Sequence, residues 1–267
     1  QSDVIVAALG ESSEMAGESS SRTNLEIPDA QKELLDALLK TGKPVVLVLF
    51  TGRPLVLVEE EQKVSTILNV WFPGSEAGYA IADVLFGDVN PSGKLSATFP
   101  RSVGQVPIYY AAKNTGRPLG NKQGNFEKFR SNYLDERNEP LFPFGFGLSY
   151  TAFKYSNLRL SANTMKSNDK LQAFVDVTNT GNFDGKEVVQ LYIRDLVGSV
   201  TRPVKELKGF ELVSLKKGET KTIHFTLTEA ELGFFDNDGN FLVEPGTFKL
   251  FVGTSSAEVL ESEFELK

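Results

Sequence analysis

Across 267 residues the sequence has no cysteine and a single histidine, His224. Without thiols there is no disulfide framework, no thiolate nucleophile and no cysteine-held metal. The lone imidazole sits between Ile223 and Phe225, on the polar face of an alternating segment, and is expected on a surface strand. This argues against a Ser-His-Asp triad, a Cys-His pair or a structural zinc site. The lack of cysteine leaves the compartment open.

Long apolar runs are missing too. The longest covers residues 45–50, far short of the roughly 18 needed to span a bilayer. Neither a G-x-G-x-x-G nor a Walker-type fingerprint follows a strand, so nucleotide binding is not expected. With 28 basic against 35 acidic residues the net charge is −7, which disfavours a phosphate-neutralising surface and so nucleic acid, but suits a neutral substrate such as a sugar. The chain begins without Met or a signal peptide, and Gln1, Ser2 and Asp3 lead straight into the apolar residues 4–9. A natural terminus rarely abuts a core strand, so further sequence is expected upstream. Carboxylates remain as the main catalytic groups, and no metal or organic cofactor is expected.

With 40% apolar residues and 20 Phe, the chain can offset the entropy of ordering two domains. Up to about residue 100, apolar runs at 4–9, 45–50 and 66–72 alternate with helical patterns, and 94–98 reads as an edge strand. That order predicts an α/β sandwich with a mostly parallel sheet, buried on both faces and carrying helices on both. One helix is expected over residues 28–40, with Leu34, Leu35, Leu38 and Leu39 on one face and Gly42 after it. A second starts at Gly74-Ser75 and carries Ala77, Ile81, Val84 and Leu85 up to Gly87. Trp71 is expected as a packed strand residue.

Residues 101–149 lose all period and gather Gly, Asn, Pro and aromatics, the composition of a long functional or clamping loop. From Thr151 the period becomes two: Leu171, Ala173, Val175 and Val177; Val189, Leu191 and Ile193; Ile223, Phe225 and Leu227; Phe248, Leu250 and Val252. Turn signals between them predict an all-β fibronectin type III-like sandwich of about seven strands over residues 151–267, following the α/β domain of residues 1–150.

The loop after the first strand carries Glu11, Glu14 and Glu18, where open α/β sheets place ligands. Residue chemistry alone allows an acid/base site but fits solvated loop acids better, with Glu26 and Asp29 enriching a helix N-terminus.

Longer motifs favour the first reading. The run Gly17-Glu18-Ser19-Ser20-Ser21-Arg22-Thr23-Asn24-Leu25-Glu26-Ile27-Pro28, then Gln31 and Gly52-Arg53-Pro54, is followed by Trp71-Phe72-Pro73-Gly74 with Glu76 and Gly78. After these come Phe86-Gly87-Asp88, Asn90-Pro91-Ser92-Gly93-Lys94-Leu95 and Thr98-Phe99-Pro100. Arg130, Tyr133, Asp135 and the stretch from Pro140-Leu141-Phe142-Pro143 to Tyr150-Thr151 close the series. Taken in this order, and with the trailing sandwich, the chain resembles the C-terminal part of family 3 glycoside hydrolases of the β-glucosidase type.

The resemblance implies a retaining exo-β-glycosidase acting on β-linked oligosaccharides or glycosides. An Asp nucleophile on a (β/α)8 barrel, absent from this chain, would face a Glu acid/base on the loop. Such chemistry needs two carboxyl groups about 5–5.5 Å apart, one of them protonated, and shielding between domains beside a negative charge favours the protonated form. The family pattern E-G-x-D-R maps the acid/base onto Glu18, with Arg22 in register. Ser19 and Ser21 replace the family's Gly and Asp, and Glu14 and Glu11 stay open as alternatives. Met15, Arg22, Arg130 and Tyr133 are the expected substrate contacts. Periplasmic or secreted location, an inactive isolated chain and self-association through an uncovered sheet edge also follow from the resemblance. A non-catalytic carbohydrate-binding or assembly module is the alternative, and sugar and linkage specificity are not encoded in these residues.

Overall fold

The computed structural model describes residues 2–118 and 126–267, in two compact units. The first takes in Gln1–Val89, Thr98–Ile108 and Glu136–Phe142, and the second Asn90–Ala97, Tyr109–Asp135 and Pro143–Lys267. Within the loop expected over 101–149, residues 119–125 lie outside the described residues.

The first unit is built on a parallel sheet of three strands, β1 (Ile5–Gly10), β2 (Val45–Phe50) and β3 (Thr66–Asn69), in that order. Helix α1 (Asp29–Leu39) crosses from β1 to β2 and packs on β1; α2 (Val58–Lys63) precedes β3 and α3 (Ala77–Phe86) follows it. Pro28 precedes the first turn of α1, where its missing N–H costs nothing, and Gly87 ends α3 at φ 86°. Ala7 and Leu9, Val45, Leu47 and Leu49, with Ile27, Leu35, Leu55, Leu57 and Phe99, form the buried apolar set.

Several expectations fail here. β1 is buried on one face only, since Val6 and Ala8 are exposed. α3 fully buries none of its residues: Ala77, Ile81, Val84 and Leu85 are half-buried, and Tyr79 and Phe86 are exposed, so its packing is partial. Leu34 also points outward, away from Leu35. Residues 94–98 form no strand; only an isolated bridge joins Phe99 to Phe142. Strand β3 stops at Asn69 because Trp71 takes a left-handed φ of 50°, which breaks the extended path and leaves its ring edge-on to Phe99 at 5.7 Å. Residues 136–142 are bound into this unit by Gln105, whose Nε2 donates to the Arg137 carbonyl at 2.7 Å while its Oε1 accepts from Arg101 N–H.

The second unit holds the sandwich. A three-stranded sheet joins β4 (Phe153–Leu160), β6 (Leu171–Asn179) and β9 (Thr220–Leu227). A five-stranded sheet runs in the order β5 (Thr164–Met165), β13 (Val259–Leu266), β12 (Gly246–Gly253), β7 (Gly185–Asp195), β8 (Glu206–Leu215). A short helix α4 (Glu229–Leu232) and a two-residue pair, β10 (Phe234–Phe235) and β11 (Phe241–Leu242), complete it. The period-two residues read from the sequence do form the core: Leu171, Ala173, Val175 and Val177 face Val189, Leu191 and Ile193, with Phe248, Leu250 and Val252 at 0% exposure. At about 1.5–3 kcal/mol for each large side chain fully buried, this cluster dominates the stability of the unit. His224 is exposed on β9, opposite Phe174, as expected.

Candidate functional site

The loop over residues 11–28 leaves the C-terminal end of β1, the edge at which parallel sheets present ligand-binding groups. Its first bend depends on Gly10. This residue sits at φ 133°, and a Cβ there would lie 1.9 Å from the Phe50 carbonyl oxygen. Gln31 on α1 clamps it, Oε1 accepting from Gly10 N–H at 2.7 Å and Nε2 donating to Gly10 O at 2.9 Å. The bend turns Glu11 inward, where only 6% of it is exposed.

Glu11 is the hub of the site. Oε1 accepts from Arg22 Nη1 at 2.8 Å and lies 2.9 Å from Arg53 Nε, at ion-pair distance but off the hydrogen-bond line. Oε2 accepts from Gly52 N–H at 3.0 Å and lies 2.9 Å from the Thr51 hydroxyl. Burial pushes this carboxyl up, yet the Arg22 hydrogen bond, the Gly52 and Thr51 donors and the Arg53 charge outweigh it and hold Glu11 below the usual carboxylate range. A carboxylate so committed anchors the loop.

Above this anchor the chain makes two turns. Met15 N–H donates to Ser12 O at 3.0 Å, and Ser20 N–H to Gly17 O at 3.2 Å. The second turn puts Glu18 and Ser19 at its two central positions, with Ser19 at φ 61°. That position favours glycine, the residue the family pattern has there, and a serine accepts it at a cost of roughly 1–2 kcal/mol. Glu18 is exposed at the tip, and its carboxylate makes no hydrogen bond or ion pair among the described residues.

Of the other residues expected here, Glu14 is exposed and equally uncommitted, and Met15 is half-buried with its carbonyl held by Arg53. Arg22 spends Nη1 on Glu11 and Nη2 on the Glu26 carbonyl, 3.1 Å away. Arg130 and Tyr133 belong to the second unit, where Arg130 is 3.8 Å from Glu127. Asp135 is exposed, and Glu136 is half-buried, its Oε1 accepting from Arg137 N–H at 2.7 Å.

Sequence reasoning passed over Thr51, Arg53 and Phe72 as individual groups. Arg53 Nη2 donates to Met15 O at 2.6 Å and Ser20 O at 2.9 Å. A Cβ on Gly52 would lie 2.7 Å from Ala16 Cβ and 2.8 Å from the Phe72 ring, so the loop and an exposed aromatic both rest on this glycine. The available signal was the Gly-Arg-Pro run at the end of the second strand, where such sheets carry function. A cleft lined by Lys32, Glu60, Arg101, Ser102 and three valines has no ring for a sugar to stack on.

Comparison with known proteins gives the family of the chain. Relatives include a periplasmic β-glucosidase of Salmonella typhimurium, 53% identical over 266 residues, and a β-xylosidase of Formosa agariphila, 46% identical over 257 residues. They match 100% and 96% of this chain but 34% of their own lengths, so the chain spans about a third of the curated relatives. A mutant β-glucosidase from Listeria innocua, crystallised with laminaribiose, superposes with a TM-score of 0.92 at 43% identity, covering 99% of this chain and 36% of that one. A fibronectin type III-like domain is matched over residues 187–256, and the glycosyl hydrolase family 3 C-terminal domain over residues 1–150. With more than half of its residues in that match, the chain belongs to the glycosyl hydrolase family 3 C-terminal domain family.

Proposed function

We propose that this chain supplies the proton-donor loop of a retaining exo-β-glycosidase, acting on β-linked glucosides or xylosides, with Glu18 as the acid/base. The Asp nucleophile comes from a (β/α)8 barrel outside these residues. The reading rests on the contrast within the loop. Glu11 is buried and fully partnered, whereas Glu18 stands uncommitted at the tip of a turn whose base is fixed. Proton transfer to a leaving oxygen needs a carboxyl free to meet it at about 2.6–3.2 Å, on a support that does not drift. Arg53 binds carbonyls on both sides of Glu18, at residues 15 and 20, an arc that leaves Glu14 outside.

Relatives named for glucoside and xyloside hydrolysis support the substrate class, and the Salmonella relative supports a periplasmic location. None of the described helices is long and apolar enough to cross a membrane. The exposed Val6 on β1, with the exposed Val4 just before the strand, favours association with the barrel-bearing part or with a second copy.

In the full-length protein, Glu18→Gln should lower laminaribiose hydrolysis by about 10²–10⁴-fold, the usual contribution of a general acid, while Glu14→Gln stays within a few-fold of wild type. The reverse pattern would assign the role to Glu14.

A further inference from the structure

We infer that Arg53 is a positioning residue for Glu18, coupling it to the end of β2 through the buried Glu11 carboxylate; this rests on the acid/base reading above.

One nitrogen, Nη2, holds the carbonyls of Met15 and Ser20 at 2.6 and 2.9 Å, so the arc that carries Glu18 is closed at both feet by a single group. The same guanidinium is fixed from behind, with Nε 2.9 Å from the Oε1 that also receives Arg22. The Arg53 backbone N–H donates to Thr51 Oγ1 at 3.2 Å, tying the residue to the strand end. Beneath the arc, Gly52 leaves no room for a side chain between Ala16 and the Phe72 ring. The turn is therefore drawn down by a charged fork and stopped from sinking by a bare backbone.

A planar guanidinium can serve two carbonyls and a carboxylate at once; an ammonium on a flexible stem cannot hold that geometry. Losing the fork lets the arc rise, and a misplacement of about 1 Å costs on the order of 10²-fold in rate.

The test is leaving-group dependence in the full-length enzyme. For Arg53→Lys, kcat/KM on laminaribiose should fall by about 10²-fold, while kcat/KM on a 2,4-dinitrophenyl β-glycoside, whose leaving group needs no proton, should change by only a few-fold. Equal losses on both substrates, or no loss on either, would overturn the inference, because a general structural defect does not discriminate between leaving groups. Glu18→Gln is run alongside. If it shows the split and Arg53→Lys does not, only the positioning role fails; if it shows no split, the acid/base reading fails and the inference with it. Should Arg53→Lys be too unstable to assay, Arg53→Gln, which leaves Glu11 paired with Arg22 and bonded to Gly52 N–H, is judged by the same two substrates.

Discussion

Replacing Glu11 by Gln keeps the shape of the side chain and removes its charge. Two arginines then face a neutral group inside the loop. Breaking one partner out of a buried ion pair costs about 3–5 kcal/mol, and the lower end, about 3 kcal/mol, applies here, because the Arg22 and Arg53 side chains keep 19% and 20% of their exposure. The sole tryptophan, Trp71, lies in the first unit, so its fluorescence follows the unfolding of that unit and is blind to the sandwich. With a urea slope of about 1.5 kcal/mol per molar, the midpoint should fall by about 2 M at pH 7. Glu11 has a depressed folded-state pKa, so its contribution is present above the unfolded carboxylate value of about 4.3 and is lost as pH falls through the folded value. The gap between wild type and Glu11→Gln should therefore close as pH falls below the unfolded carboxylate value and through the lower folded one. A midpoint shift below about 0.5 M at pH 7, or a gap that persists unchanged in acid, would refute the role of Glu11 as anchor.

Ser19→Gly should relieve the left-handed strain at φ 61° and raise the stability of the first unit by up to about 1 kcal/mol, net of the extra freedom of the unfolded chain; the Trp71 urea transition reads it. In the second unit, Lys205 donates to the Ser256 carbonyl at 2.6 Å with its Nζ 4.5 Å from the Phe251 ring centre, and burial lowers its pKa to about 8. The folded state thus holds fewer protons than the unfolded state between that value and the ordinary lysine value of about 10.4, and stability rises with pH across this window. Lys205→Met should stabilise the sandwich by about 2 kcal/mol at pH 7 and flatten this rise, as followed by circular dichroism; a variant with the same pH slope as wild type would contradict the assignment.

The strands of the sandwich were readable because each shows water on one face only, which writes period two into Leu171 to Val177 and Phe248 to Val252. Residues 94–98 misled the same rule. The segment divides between the two units at Ala97, so Leu95 bonds to Phe146 and Gly145 while Phe99 bonds to Phe142, and no single ladder runs through it. The helices were visible from their apolar spacing, but not that the stripe of α3 is only half-buried, since an apolar stripe does not say what covers it. The acidic loop was visible as a loop. That Glu11 is its anchor and Glu18 its free end depends on Thr51, Gly52 and Arg53, about forty positions away along the chain and adjacent only once β1 and β2 pair.

The claim that Glu18 handles the proton is tested most directly by Glu18→Ala in the full-length protein, assayed on a 2,4-dinitrophenyl β-glycoside with and without sodium azide. With the base removed from the second step, azide should restore turnover and leave a glycosyl azide of retained β configuration. An unchanged rate with no such product, or the same rescue in Glu14→Ala, would contradict it.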